Sequence, residues 1–151
     1  MIKTIRTDST HHDFLKLINL LDDDLANKNG ENNNFFVQFN QVDLIKHVII
    51  IYENDEPVGC GAFKNYNEDS VEIKRMFVHP CARKRGFATI ILNELTNWAL
   101  QLNFHYAVLE TGDKMTEAIN LYLKERFEII PNYPPYDKEP TSRCFKKKLS
   151  N

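Results

Sequence analysis

The stretch SVEIKRMFVHPCARKRGFATIILNEL, from Ser70 to Leu95, joins three features in a fixed order. Its first part is an apolar run that is typical of a buried strand and ends at His79. Three cations follow around Gly86, and the apolar spacing after them predicts an amphipathic helix from about Phe87 to about Leu102. Positive charge and a glycine therefore stand where a strand becomes a helix, which indicates a site for an anion.

The start of a helix suits an anion because its first backbone N–H groups have no partner within the helix and carry a partial positive charge. Gly86 lets a phosphate approach the backbone, Ala88 is also small, and Thr89 adds a hydroxyl in the first turn. The single glycine excludes a dinucleotide fingerprint, G-x-G-x-x-G, and a P-loop, G-x-x-x-x-G-K-[ST]. A solvated basic turn is the alternative that these residues alone leave open.

The composition limits the class of protein. The chain has 151 residues, which suits one compact domain over residues 1–151, and its net charge of −2 does not favour a nucleic-acid partner. Cys60, Cys81 and Cys144 lack the spacing of a zinc or redox motif, and the histidines form no recognisable metal site. We therefore expect reduced thiols, no metal, no membrane segment and a cytoplasmic location.

Residues Ile2 to Thr7 predict a strand, Ser9 or Thr10 is the predicted N-cap of a first helix, and Gly30 is its predicted end. The other predicted elements are strands at 46–54, 57–66, 70–78, 104–110, 127–130 and 142–149 and a helix at 113–126. This order, β-α-β-β-β-α-β-α-β-β, predicts one α/β domain with a mixed sheet and helices on its faces.

Three segments resemble the GNAT (GCN5-related) N-acetyltransferase family. The run from Arg83 to Ala88 resembles its Q/R-x-x-G-x-G/A motif, and VEIKRMFVHP is similar to the strand before that motif. AINLYLKERFEIIPNY is similar to the terminal helix and strand, usually spelled A-x-x-L-Y-x-K-x-G-F, although Arg126 replaces the glycine. The resemblance implies a mostly antiparallel central sheet of about six or seven strands flanked by helices on both faces.

The resemblance also implies that the basic turn holds the pyrophosphate of coenzyme A, with acetyl-CoA as the acetyl donor. The backbone at the end of the preceding strand would contact the pantetheine arm, where a bulge or splay opens the sheet, and would polarise the thioester carbonyl. The coenzyme-binding residues implied in this way are Met76, Phe77, Val78, Arg83, Lys84, Arg85, Gly86, Phe87, Ala88, Thr89 and Asn120.

Acetyl transfer to an amine requires that a protonated amine, of pKa about 10, lose its proton. Glu72 is the first candidate for the base, with Glu110 or a chain of waters as the alternatives. By resemblance, Tyr122 is the candidate acid that protonates the departing thiolate, whereas a purely structural core tyrosine remains possible there. A covalent route through Cys81 is disfavoured because no partner base is evident.

Acceptor contacts are predicted from Lys74 and Arg75, which would suit a carboxylate, from Glu110, and from Tyr133 and Tyr136 in a proline-rich loop. The alternatives are an exposed pair of cations and ordinary loop tyrosines. The asparagine-rich stretch from Glu31 to Val42 is expected to cover the acceptor.

The expected function is acetyl-CoA-dependent transfer of an acetyl group to a primary amine of a small molecule or peptide, by direct attack in a ternary complex. The alternative is a non-catalytic acyl-CoA sensor or partner-binding module on the same fold. A homodimer is a further possibility that the family suggests.

Overall fold

A computed structural model describes residues 1–29 and 44–149. The predicted helix end at Gly30 and the predicted cover from Glu31 to Val42 lie outside these residues. The described elements are β1 (Ile2–Thr7), α1 (His12–Asn29), β2 (His47–Glu53), β3 (Glu56–Asn65), β4 (Ser70–Val78), a 3₁₀ turn (Pro80–Ala82), α2 (Phe87–Gln101), β5 (Tyr106–Gly112), α3 (Thr116–Lys124), β6 (Glu128–Ile130) and β7 (Ser142–Lys148).

Seven strands form one mixed sheet in the order β1-β2-β3-β4-β5-β7-β6. Every neighbouring pair is antiparallel except β4 and β5, which run parallel. The β4–β5 pairing ends at Glu72 and Val108, although β4 continues to Val78 and β5 to Gly112. The two strands therefore splay apart beyond that pair, and the opening lies beside the carboxyl ends of both strands.

Helices cover both faces of the sheet, as β2 shows most clearly. Its side chains alternate between faces, so Val48 and Ile50 pack with Phe14 of α1, whereas Ile49 packs with Ile91 of α2. Burial on both faces explains why β2 has four consecutive β-branched residues, from Val48 to Ile51. This architecture confirms the predicted fold class.

A β-bulge interrupts β4 near its end. Cys60 pairs with Phe77 and Ala62 pairs with Lys74, so two residues of β4 oppose the single Gly61. Arg75 is one of the two, and its φ of 61° lies in the left-handed region that few non-glycine residues occupy. The buried Cys60 thiol donates a hydrogen bond to the Arg75 carbonyl at 3.4 Å, which helps to hold this conformation.

The predicted start of α1 is wrong. Ser9 and Thr10 do not cap the helix, because the Ser9 hydroxyl accepts a hydrogen bond from the Ile45 N–H at 2.8 Å and the Thr10 hydroxyl donates to Asp8. Instead, the His11 ring accepts a hydrogen bond from the Asp13 N–H at 3.1 Å. Sequence propensity favours hydroxyl caps, but the tertiary contact with the chain before β2 engages Ser9 elsewhere.

The predicted helix at 113–126 is also shorter than expected, because α3 spans Thr116–Lys124 and does not reach Arg126. Arg126 itself has a φ of 71°. The Phe127 N–H bonds to the Tyr122 carbonyl and the Arg126 N–H to the Leu123 carbonyl, which together form a Schellman ending. Arg126 therefore occupies the left-handed position that a glycine adopts without strain.

Candidate active site

An open cleft of about 390 Å³ runs along the basic turn and is called the larger cleft below. It contains every predicted coenzyme-binding residue except Arg85. Its walls comprise Leu21, Asp24, Met76, Phe77, Val78, Ala82, Arg83, Lys84, Gly86, Phe87, Ala88, Thr89, Met115, Glu117, Ala118, Asn120, Leu121, Tyr122 and Lys124.

The backbone at the start of α2 is open to a ligand. Gly86 is the N-cap residue with a φ of 83°, and no side chain makes a capping hydrogen bond to the first turn. A Cβ atom placed on Gly86 would meet no atom of the described residues within 4 Å. The space beside Gly86 at the start of α2 is therefore open as far as the structure describes it, which fits a phosphate bound by backbone N–H groups.

Two of the cations of the turn, Arg83 and Arg85, have different surroundings. Arg83 lines the larger cleft, donates from Nε to the Val78 carbonyl at 2.8 Å and pairs with Asp24 at 3.2 Å. Arg85 lies outside the cleft walls, and its guanidinium makes a two-pronged ion pair with Glu53 at the end of β2. This ion pair holds the turn against the sheet. The coenzyme contact predicted for Arg85 stays a prediction, because Arg85 does not line the larger cleft.

A second cavity, of about 100 Å³, adjoins the larger cleft where β4 and β5 splay apart, and is called the smaller cavity. Its walls comprise Leu21, Leu25, Glu72, Ile73, Lys74, Arg75, Met76, Glu110, Thr111, Gly112, Met115, Ala118, Tyr122 and Tyr136. It thus gathers both predicted catalytic carboxylates with three predicted acceptor contacts from separate parts of the sequence.

The strand register explains this gathering. Glu72 is the last residue of β4 that pairs with β5, and it pairs with Val108. Because side chains two residues apart share a face, Glu72 and Lys74 project beside Val108 and Glu110. Glu110 therefore stands just beyond the last pair, where the strands have separated.

Burial dominates the ionisation of Glu110. It raises the pKa of that carboxyl to about 7, although the Ser142 hydroxyl, which donates to it at 2.7 Å, and the Lys74 charge both act in the opposite direction. Burial likewise lowers the pKa of Lys74, whose Nζ lies 3.4 Å from the Tyr136 hydroxyl. Glu110 therefore changes its charge close to neutral pH, which is what a general base requires.

Glu72 is held differently. The carboxylate is 7% exposed and accepts a hydrogen bond from the Tyr133 hydroxyl at 2.8 Å. Burial, followed by the charge of Glu72, raises the pKa of Tyr133, so the tyrosine keeps its proton and donates it to this bond. Tyr133 thus contacts Glu72 and is not part of the cavity wall.

Tyr122 forms part of the wall between the two cavities. Both cavities are lined by Leu21, Met76, Met115, Ala118 and Tyr122. Burial raises the pKa of Tyr122, and the nearby charge of Glu110 raises it further. Its phenol therefore keeps its proton at neutral pH.

Sequence reasoning missed Ser142, Asp22 and Met115. Ser142 is the first residue of β7 and reaches Glu110 only because β5 and β7 pair side by side. Asp22 pairs with Arg75 at 3.0 Å. The run of three aspartates at 22–24 could have predicted an ion pair with the sheet, because charges on a helix that packs against a sheet need partners of opposite charge.

Within residues 1–29 and 44–149, no group of three or more His, Cys, Asp and Glu side chains could hold a metal ion. No helix in this part of the chain has the length and apolar character needed to cross a bilayer.

Comparisons with known proteins agree with this geometry. Residues 15–127 match the family model "Acetyltransferase (GNAT) family". An IAA acetyltransferase of Azospirillum brasilense is 34% identical over 93 residues, which cover 61% of this chain and 61% of that protein. A protein assigned as an acyl-CoA N-acyltransferase from Klebsiella pneumoniae is 26% identical, with a TM-score of 0.82 and 99% of both chains covered.

A GNAT family acetyltransferase from Elizabethkingia anophelis, solved with acetyl-CoA bound, shares the fold at a TM-score of 0.70 and 16% identity, with 97% of each chain covered. The family match covers most of the chain and agrees with the motif, the sheet order and the splayed strands. This chain belongs to the GNAT acetyltransferase family.

Proposed function

We propose that the protein transfers an acetyl group from acetyl-CoA to the primary amine of a small molecule or peptide, by direct attack within a ternary complex. The observation that carries the proposal is the pair of adjoining cavities that share a wall at Tyr122. A long donor and a small acceptor can occupy them together, so no acetyl-enzyme is needed.

The larger cleft suits the donor. Gly86 leaves the first amides of α2 accessible, and Arg83 and Lys84 add positive charge beside them. The residues from Met76 to Val78 line the same cleft next to the splayed edge of β4. Bound acetyl-CoA would supply a thioester there, and a backbone N–H of this segment would polarise its carbonyl.

We assign the base role to Glu110 in preference to Glu72. Glu110 lines the smaller cavity, and burial places its pKa at about 7, so it accepts a proton readily at neutral pH. Glu72 already accepts the Tyr133 proton in a 2.8 Å hydrogen bond, which suits a positioning role. Its charge also helps to keep the pKa of Glu110 high.

Tyr122 is the proposed acid. In the proposed step Glu110 first takes the proton of the ammonium group and releases it to solvent. The neutral nitrogen then bonds to the acetyl carbon, the carbon–sulfur bond breaks, one nitrogen proton passes to Glu110 and the Tyr122 proton passes to the thiolate. The proton on Glu110 afterwards restores the Tyr122 phenol. Tyr122 is suited to the transfer to the thiolate because it is protonated and lies in the wall common to both cavities.

Two measurements test the proposal. Calorimetric titration is expected to show acetyl-CoA binding, and a free-thiol assay over a panel of amines, amino acids and peptides is expected to show acceptor-dependent thiol release. A lack of acetyl-CoA binding at millimolar concentrations would refute the proposal. Binding without thiol release for any amine would favour the non-catalytic acyl-CoA sensor.

A further inference from the structure

Arg75 has an environment that the acetyl transfer does not by itself require. Its side chain is 2% exposed, and Nη1 pairs with Asp22 at 3.0 Å. Its second terminal nitrogen, Nη2, is buried and has no hydrogen-bond partner among the residues that the structure describes. A guanidinium is always charged and its donors are costly to bury unsatisfied, so this nitrogen calls for an acceptor atom.

The position of Arg75 says where that acceptor atom would come from. Arg75 lines the smaller cavity, and it is absent from the walls of the larger cleft. The bulge in β4 sets its backbone in the left-handed region, and the bond to Asp22 on α1 places its side chain on the α1 side of the sheet. Arg75, which carries the unpaired nitrogen, therefore belongs to the wall of the acceptor site and not to that of the coenzyme cleft.

The other charges of the smaller cavity complete the pattern. Lys74 adds a second cation to the same wall, and Glu110 and Glu72 supply two carboxylates. An acceptor with only an amine would leave Arg75 Nη2 unpaired, and an acceptor with only a carboxylate would offer Glu110 no proton. A molecule that carries both an amine and a carboxylate would provide a partner for Arg75 and a proton for Glu110.

We propose that the acceptor is a small amino acid, whose carboxylate binds Arg75 Nη2 while its amine faces Glu110. This inference rests on the proposed function and names the acceptor class of the same site. The cavity of about 100 Å³ limits the separation of the two groups, which favours an amine and a carboxylate on one compact molecule. Arg75 is a substrate-binding residue in this account, and the Asp22 ion pair orients it.

The test compares matched acceptors on the intact chain, with acetyl-CoA as donor. Each of the common L-amino acids is assayed beside its carboxamide and its decarboxylated amine. We expect kcat/KM for the best amino acid to exceed that of both analogues by about 10- to 100-fold, the usual value of a charge-assisted hydrogen bond. Equal rates for the amino acid and its two analogues would overturn the inference.

A variant refines the test. Arg75→Lys is expected to lower kcat/KM for the amino acid about tenfold more than it lowers kcat/KM for the decarboxylated amine. Arg6→Lys is the matched control, because Arg6 lies on β1 and lines neither cavity. If Arg75→Lys slows the amino acid and the amine equally, the role of Arg75 is structural and the inference is wrong.

The remaining outcomes separate this inference from the proposed function. Acetylation of other amines without acetylation of any amino acid would overturn the inference and leave the function standing. Faster transfer from succinyl-CoA than from acetyl-CoA would place the carboxylate on the donor and also overturn it. Acetyl-CoA binding without turnover of any panel member counts against the inference, whereas absent acetyl-CoA binding refutes the function itself.

Discussion

The larger cleft and the smaller cavity offer a ligand different kinds of chemical group. The larger cleft offers backbone amides around Gly86, and the neighbouring cations Arg83 and Arg85 are already paired with Asp24 and Glu53. The smaller cavity instead concentrates buried ionisable side chains, among them Glu110. A backbone site can be predicted from one continuous stretch of sequence. A site made of side chains forms only when strands that are distant in the sequence pair with one another.

The largest expected effect concerns Glu110 in the smaller cavity. Glu110→Gln is expected to lower kcat by about 10³-fold, because the amide cannot accept the amine proton, and to leave the affinity for acetyl-CoA unchanged. Steady-state kinetics and calorimetry measure the two quantities. Glu72→Gln is the comparison variant, and a greater loss for it than for Glu110→Gln would transfer the base role to Glu72.

The pH dependence tests the same residue. The wild-type kcat/KM is expected to rise with pH through about 7, because Glu110 must lose its proton to act as a base, and this rise should vanish in Glu110→Gln. The free energy of unfolding depends on pH in the opposite direction. Because burial raises the folded-state pKa of Glu110 from the usual 4.5, its contribution to the free energy of unfolding is highest below pH 4.5 and falls as pH rises to about 7.

Tyr122→Phe tests the wall that the cavities share. We expect kcat to fall by about 10²-fold, because the leaving thiolate loses its proton donor, with little change in the dissociation constant for acetyl-CoA. Tyr106→Phe on β5 is a suitable control, since Tyr106 lines neither cavity. An unchanged kcat in Tyr122→Phe would show that Tyr122 is not the acid and has only a packing role.

Gly86→Asn tests the backbone character of the larger cleft. Asparagine tolerates a positive φ better than most residues, and a Cβ here meets no atom of the part of the chain that the structure describes. The fold should therefore survive while acetyl-CoA binding weakens about tenfold. Thermal unfolding and calorimetric titration on the same sample separate stability from binding. Unaltered acetyl-CoA affinity would contradict the assignment of this turn to the pyrophosphate.

The smallest expected effect is on stability. Arg126→Gly should raise the free energy of unfolding by about 1 kcal/mol, because glycine adopts the left-handed conformation after α3 without strain. Denaturant unfolding measures the change. Glu125→Gly is the matched control and should destabilise instead, since Glu125 has a φ of −84° that any residue can adopt.

The contrast between the two cavities also explains which features were predictable. The strand Ser70–Val78 and the helix start at Phe87 follow from local periodicity and were predicted correctly. The bulge at Arg75 depends on the register with β3, and the Glu53 partner of Arg85 comes from a strand more than thirty residues earlier. Such long-range pairings leave no signature in the local pattern.

The acceptor side shows the same limit. The resemblance names Glu72 first as the base, and that call stays a prediction, because both Glu72 and Glu110 line the smaller cavity. Our proposal of Glu110 rests on the splay beside Val108 and on the Tyr133 bond that engages Glu72. Both features depend on burial and hydrogen bonding that arise only when the strands pair.

The central claim is direct transfer between two adjoining cavities that are filled at the same time. Initial rates measured over a matrix of acetyl-CoA and acceptor concentrations test it most directly. The account predicts intersecting double-reciprocal lines, and no acetylated enzyme by intact-protein mass spectrometry after incubation with acetyl-CoA alone. Parallel lines together with a stoichiometric acetyl-enzyme would contradict it.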